Sequence, residues 1–201
     1  MPWIALRVAV FIVSLLPFIC LVYRAAVGQL GADPADALAL ETGRWSLRFL
    51  LICLAVTPVR ELTGLVRLAP LRRMLGLYAL FYASVHFLVY LVFLLELRWS
   101  EIGEDIVQRP YITVGFLAFL ILVALGVTSN KPMMRRLGRR WRPLHRLVYL
   151  AAGLGLLHLI WILRTDLTDA VIYGIILLLL MAYRLYRAVW FRRLLGRLGG
   201  Q

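Results

Sequence analysis

Three histidines are the residues of this chain best suited to chemistry, and they are the only ones among its 201 residues. His86 lies in SVHFLVY and His158 in LGLLHLIW, both inside long apolar runs, while His145 lies in RPLHRL at the edge of the run that holds His158. Imidazole serves as an acid, a base or a metal ligand. A polar side chain inside an apolar run of membrane length is costly and is a functional candidate by default. The structural alternative for any one of them is an interhelical hydrogen bond, worth about 0.6–2 kcal/mol.

The elements that must position these histidines are helices in a bilayer. The chain is 63% hydrophobic and 16% charged, with mean hydropathy +0.86, far more apolar than a water-soluble domain. Apolar runs of roughly the 18–20 residues that cross a membrane as helix recur at about 8–26, 43–60, 74–95, 111–129, 143–163 and 170–190. The sequence therefore predicts an all-α integral membrane protein, one domain over 1–201 with six transmembrane helices. The intervening segments alternate in charge. Asp33, Asp36 and Glu41 precede the second span, and Glu96, Glu101, Glu104 and Asp105 outnumber Arg98 and Arg109 before the fourth. Arg60, Arg67, Arg72 and Arg73 face only Glu61 between the second and third spans. Lys131, Arg135, Arg136, Arg139, Arg140 and Arg142 have no acid beside them between the fourth and fifth. Arg164, Asp166 and Asp169 follow the fifth, and Arg187, Arg192, Arg193 and Arg197 lie toward the C-terminus. The positive-inside rule places the basic loops and both termini in the cytoplasm. The net charge of +13 is then a matter of topology and lipid headgroups, and nucleic acid is not an expected partner.

Punctuation fits this layout. Pro110 and Pro143 are placed to begin the fourth and fifth helices, and Pro17 to kink the first. The first span reads as retained, because its start carries only Arg7 and no small-residue cleavage site precedes Arg24. Gly153 and Gly155 admit either a packed helix or a flat ligand. Cys20 and Cys53 read as small apolar packing residues. No C-x-x-C-H, G-x-G-x-x-G or Walker motif occurs, so covalent haem, dinucleotide and ATP sites are not expected.

Depth links two of the histidines. His86 is about 12 residues into the third span and His158 is 13 residues past His145. At ~1.5 Å per residue both lie about 18–20 Å from the basic face. Zinc asks for three or four close ligands, whereas a haem iron needs two axial ligands on opposite faces. His86 and His158 are thus expected to share one haem iron, with Tyr82, Tyr90 and Tyr149 as aromatic neighbours that serve equally as packing. His145, ~20 Å further along, is expected to hold a second haem. Its partner ligand is open: Met74, water, none, or a residue from another subunit. Arg72, Arg73, Arg139, Arg140 and Arg142 are candidates for the propionates or for docking a donor, with topology and lipid contact as the alternative role. Thirteen residues at about 100° each leave His145 and His158 on different helix faces, so a distortion at Pro143 or near the glycines is expected.

The ordered motifs LGADP (30–34), TGR (42–44), TP (57–58), RRMLGL (72–77), RPYITVG (109–115), LGRRWRPLHRLVYL (137–150) and HLIW (158–161) resemble the MsrQ (YedZ) family. These are haem-binding membrane subunits of the bacterial periplasmic methionine sulfoxide reductase system, within the wider ferric-reductase and NADPH-oxidase-like transmembrane group. The resemblance implies b-type haem at His86 and His158, and a role for His145 in a second haem. It implies a location in the bacterial inner membrane, with electrons from the quinone pool or a flavin reductase passed to a periplasmic molybdenum-cofactor enzyme, MsrP. FMN is associated with the family, but no motif here identifies a site for it. The chain departs from the wider group in carrying one histidine rather than two on the third span, and in having no C-terminal flavin and nicotinamide domain. It is read as an electron-transfer subunit rather than an enzyme by itself. Two other readings stand beside this one: a transmembrane haem reductase with another acceptor such as ferric iron, and a transporter or assembly factor that uses its histidines only to join helices.

Overall fold

The computed structural model describes residues 2–163 and 166–198, with side chains within 3–163 and 166–189. Arg164 and the side chains of Arg192, Arg193 and Arg197 lie outside the described residues. The chain is all-helical in its described parts, a multi-pass membrane protein. Its α-helices are α1 (Pro2–Ala26), α2 (Pro34–Thr63), α3 (Ala69–Val89), α4 (Ile102–Gln108), α5 (Pro110–Val127), α6 (Lys131–Leu137), α7 (Trp141–His145), α8 (Leu147–Ile162) and α9 (Thr168–Leu198). A π-helical turn, Tyr90–Leu94, extends α3.

Among the described residues, four helices are long and apolar enough to cross a bilayer: Trp3–Ala26, Val66–Leu94, Pro110–Val127 and Thr168–Val189. Lys131–His145 and Leu147–Ile162, bent by 43° at their junction, make a fifth if they count as one crossing. The second expected span sits inside α2, which has 30 residues but is diluted by Arg44, Arg48, Arg60 and Glu61. Arg44 and Arg48 are bound within the bundle. Arg44 pairs with Glu41 at 2.9 Å and Asp169 at 2.7 Å. Arg48 donates to Tyr173 Oη at 2.7 Å and lies over the Trp45 ring.

Local signals set the helix ends. Asp33 caps α2 by accepting from the Asp36 N–H, and Asn130 caps α6 by accepting from the Met133 N–H. Gly64 ends α2 at φ 71°, a left-handed turn that costs glycine little. Pro110 begins α5 as expected. The break in the fifth span differs from expectation. Pro143 lies inside the short α7, and the chain bends at Arg146 instead. Gly153 faces open space, and Gly155 makes only ordinary contact with Leu47, so neither marks the distortion.

Two antiparallel hairpins form the core, α2 with α3 and α5 with α8. Leu54, Ala79, Tyr82 and Ala152 are fully buried in it, and Ser46 ties the first hairpin by donating to the Ala79 carbonyl. Two prolines leave backbone defects that side chains fill. Near Pro17, the Tyr82 hydroxyl enters the α1 ladder: it accepts from the Phe18 N–H at 3.0 Å and donates to the Ser14 carbonyl at 2.9 Å. Pro58 has no N–H for the Leu54 carbonyl, and Arg184 of α9 donates to that oxygen at 2.7 Å. The expected roles of the tyrosines beside the histidines resolve accordingly. Tyr82 is spent on α1, Tyr90 donates to Asp105 at 2.7 Å, and Tyr149 lies under the Arg184 guanidinium. Cys53 is buried with its thiol on the Arg72 carbonyl, and Cys20 is exposed and unpaired.

Candidate functional site

His86 and His158 meet. One stands on α3 and the other on α8, 72 positions apart in sequence, and their ring centroids are 6.0 Å apart with planes at 82°. Each ring is held through Nδ1 by a main-chain carbonyl of the partner helix in its own hairpin. His86 Nδ1 lies 2.8 Å from the Ala39 oxygen on α2, and His158 Nδ1 lies 2.6 Å from the Tyr111 oxygen on α5. A carbonyl only accepts, so Nδ1 carries the proton on both rings and Nε2 is left with its lone pair. This is the usual arrangement of a metal-ligating histidine, whose second nitrogen donates to a carbonyl or carboxylate.

Glycines bring the rings that close. A Cβ on Gly43 would stand 3.2 Å from His86 Nδ1, and one on Gly115 would stand 2.6 Å from His158 Nδ1. The site can therefore offer two nitrogen ligands from opposite helices. Among the described residues no group of three or more His, Cys, Asp or Glu side chains converges.

His145 lies elsewhere. Its Nε2 is 3.1 Å from Thr128 Oγ1, just past the end of α5. Tyr111, at the start of α5, lies 17 residues earlier, about 25 Å at a helical rise. The Thr128 hydroxyl gives its one proton to the Ala124 carbonyl at 2.7 Å, so it accepts from His145 Nε2–H. Trp141 stacks on the His145 ring at 4.1 Å and donates its indole N–H to the Thr128 carbonyl at 3.0 Å.

The arginines are not gathered into one cluster. Arg72 is half-buried and lines a cavity of about 200 Å³ with Val56, Thr57, Arg60 and Ala69. Arg73, Arg139, Arg140 and Arg142 are exposed, and among the described residues none forms an ion pair. Sequence reasoning passed over Gly43, Gly115, Thr128 and Trp141. A signal existed for the first two: a glycine inside a helix costs about 1 kcal/mol relative to alanine, and both sit a turn or more inside α2 and α5.

Comparison with known proteins follows the same helices. Residues 42–156 match the model of the ferric reductase like transmembrane component. The haem-binding subunit MsrQ of a protein-methionine-sulfoxide reductase from Xanthomonas campestris pv. campestris (strain 8004) is 49% identical over 168 residues, 84% of this chain and 77% of the relative. The MsrQ of Xanthomonas euvesicatoria pv. vesicatoria (strain 85-10) is 46% identical over 88% of this chain and 81% of its own. That of Polaromonas naphthalenivorans (strain CJ2) is 45% identical over 90% and 84%.

Proposed function

This chain belongs to the MsrQ haem-binding subunits within the ferric reductase-like transmembrane family, and on that premise we propose that it is a b-type cytochrome of the bacterial inner membrane. It passes electrons from the quinone pool or a cytosolic flavin reductase to a periplasmic methionine sulfoxide reductase of the MsrP kind. The observation that carries this reading is the His86–His158 pair, two rings 6.0 Å apart on opposite hairpins, each with Nδ1 tied to a carbonyl and Nε2 free. Those two nitrogens would hold the haem iron.

Bound haem supplies a one-electron couple. The protein's own part is to fix the two rings, keep both Nε2 atoms unprotonated and surround them with apolar helix. His145 extends the reading to a second haem on the basic side, for which its Nε2 would have to leave the Thr128 hydroxyl. Arg72, Arg73, Arg139, Arg140 and Arg142 then serve its propionates or the docking of the donor.

The proposed topology has six crossings with both termini in the cytoplasm. Its support is the charge pattern: acidic Glu41, Asp105 and Asp169 near the His86–His158 end, and the Arg-rich segment 131–142 near His145. Cysteines at Asp36 and Arg136, in a chain without Cys20 and Cys53, test it on intact cells with an impermeant thiol reagent. Labelling is expected at 36 alone; labelling at 136 alone inverts the direction of electron flow.

A visible spectrum of the purified protein before and after dithionite tests the cytochrome reading. A reducible low-spin haem spectrum is expected. A colourless preparation from haem-replete cells overturns it in favour of a protein without a redox centre. Reduction should need a quinol or a flavin reductase, and rapid reduction of flavin-free protein by NADPH alone would contradict the donor assignment.

A further inference from the structure

The two histidine contacts share one construction. The carbonyl that receives His86 belongs to Ala39, four residues before Gly43, and the carbonyl that receives His158 belongs to Tyr111, four residues before Gly115. In an α-helix the carbonyl of residue i−4 points along the axis at the N–H of residue i. The Cβ of residue i tilts back toward that same carbonyl. A ring that shares the carbonyl must lie where this Cβ would be, so only glycine at position i opens the oxygen to an imidazole. The pair occurs once in each hairpin, always on the helix that precedes the histidine: α2 for α3, and α5 for α8.

We propose that Gly43 and Gly115 are positioning residues. Each forms, with the carbonyl four residues before it, a cradle that fixes one imidazole as the Nδ1–H tautomer and leaves Nε2 for the metal. The two cradles are unequal. The Gly115 cradle is the tighter by both measures: 2.6 Å against 2.8 Å for the hydrogen bond, and 2.6 Å against 3.2 Å for the nearest approach of an added Cβ to the ring. A methyl on Gly115 meets Nδ1, Cε1 and Cγ at 2.6, 2.7 and 3.0 Å, so it must push His158 off its carbonyl. A methyl on Gly43 at 3.2 Å asks for a shift of a few tenths of an ångström. That shift lengthens the His86 bond without breaking it. A metal-ligating histidine that donates less strongly from Nδ1 is a weaker electron donor through Nε2, so the cradles would also set the potential of a metal held there.

This inference rests on the proposed sharing of one haem by His86 and His158, and its test separates the two. Gly115→Ala, Gly43→Ala and Gly153→Ala are compared in the full-length protein. Gly153 is the control, a helical glycine on α8 with nothing within 4 Å of its would-be Cβ. Histidine ¹⁵N NMR on haem-free protein reads the tautomers directly. Wild type and Gly153→Ala should show His86 and His158 as Nδ1–H, and Gly115→Ala should change His158 alone. In haem-loaded protein, Gly115→Ala should lose about tenfold of the low-spin signal, as expected for overpacking at a rigid contact. Gly43→Ala should keep its low-spin spectrum with a raised midpoint potential. Should Gly115→Ala fail to accumulate, Gly43→Ala decides: a shifted potential supports the cradle, and a wild-type potential overturns it. Tautomers, spectra and potentials all matching Gly153→Ala overturn the cradle while leaving the shared haem in place. Tautomer changes in a protein that never takes up haem support the cradle and overturn the shared haem.

Discussion

The His86–His158 pair and His145 place the same side chain in opposite chemical roles. In the pair, carbonyls take the Nδ1 protons and the Nε2 lone pairs stay free. At His145 the Nε2–H is spent on Thr128, and the ring is covered by Trp141. The acceptor makes the difference. A main-chain carbonyl reached over a glycine holds a ring from behind, while a side-chain hydroxyl just past the end of α5 meets the ring at its tip. On the proposed reading the pair is arranged for a ligand in advance, whereas His145 would have to give up a hydrogen bond to take one.

The largest test of that contrast removes the ligands. His86→Ala and His158→Ala should each abolish the same low-spin spectral component, and the double variant should lose no more than either single one, because two groups on one ligand act as a unit. Haem per protein and low-temperature spectra read this out. Loss of two different components would mean that each histidine serves its own haem. His145→Ala should do less. It should leave that component in place, lower the haem per protein from two toward one, and slow reduction by the cytoplasmic donor. An unchanged haem content would confine His145 to its bond with Thr128.

A smaller effect is expected when the Thr128 hydroxyl is removed. Thr128→Val deletes the acceptor that competes for His145 Nε2, so the His145 component should bind haem more tightly, by about 2- to 10-fold for one hydrogen bond of ~0.5–1.5 kcal/mol. The His86–His158 component should not respond. Haem titration of the two components measures both, and weaker binding at His145 would make Thr128 a support rather than a competitor.

The sequence makes the pair legible and leaves the cradles hidden, for a physical reason. Matched depth follows from counting residues at a fixed rise, so His86 and His158 could be brought together without knowing how the helices rotate. The bond to Ala39 or Tyr111 depends on rotation and on separation between helices, and main-chain atoms leave no mark on a sequence beyond the glycine that uncovers them. Apolar runs mark the long helices, but the α7–α8 bend falls at Arg146, where no proline or glycine stands, so punctuation could not locate it. Arg48 and Arg184 stand inside the second and sixth apolar runs. Their partners, Tyr173 Oη and the Leu54 carbonyl, lie on another helix and became visible only with the fold. No internal repeat is evident in the sequence, yet the glycine–carbonyl device recurs in both hairpins. Two residues per copy are enough to build it, too few to register as similarity.

The last contrast lies at the His145 end and tests whether the two regions are mechanically separate. Arg184 joins α9 to α2 by donating to the Leu54 carbonyl, the oxygen that Pro58 leaves without its helical partner. Arg184→Met keeps most of the side-chain volume and removes the donor, leaving the buried Leu54 carbonyl unsatisfied at a cost of about 1–3 kcal/mol. Pro58→Ala restores an N–H four residues past Leu54. In that background the carbonyl has a helical partner again, and Arg184→Met should cost less. Thermal unfolding of the four proteins in detergent gives the coupling between the two sites. Additive losses would show that Arg184 stabilises through its contact with the Tyr149 ring instead. The His86–His158 spectrum should be the same in all four proteins, because that pair is held by α2 and α5 near their opposite ends. A shift of its midpoint potential in Arg184→Met would show that the bundle transmits strain along α2 and that the two regions are not independent.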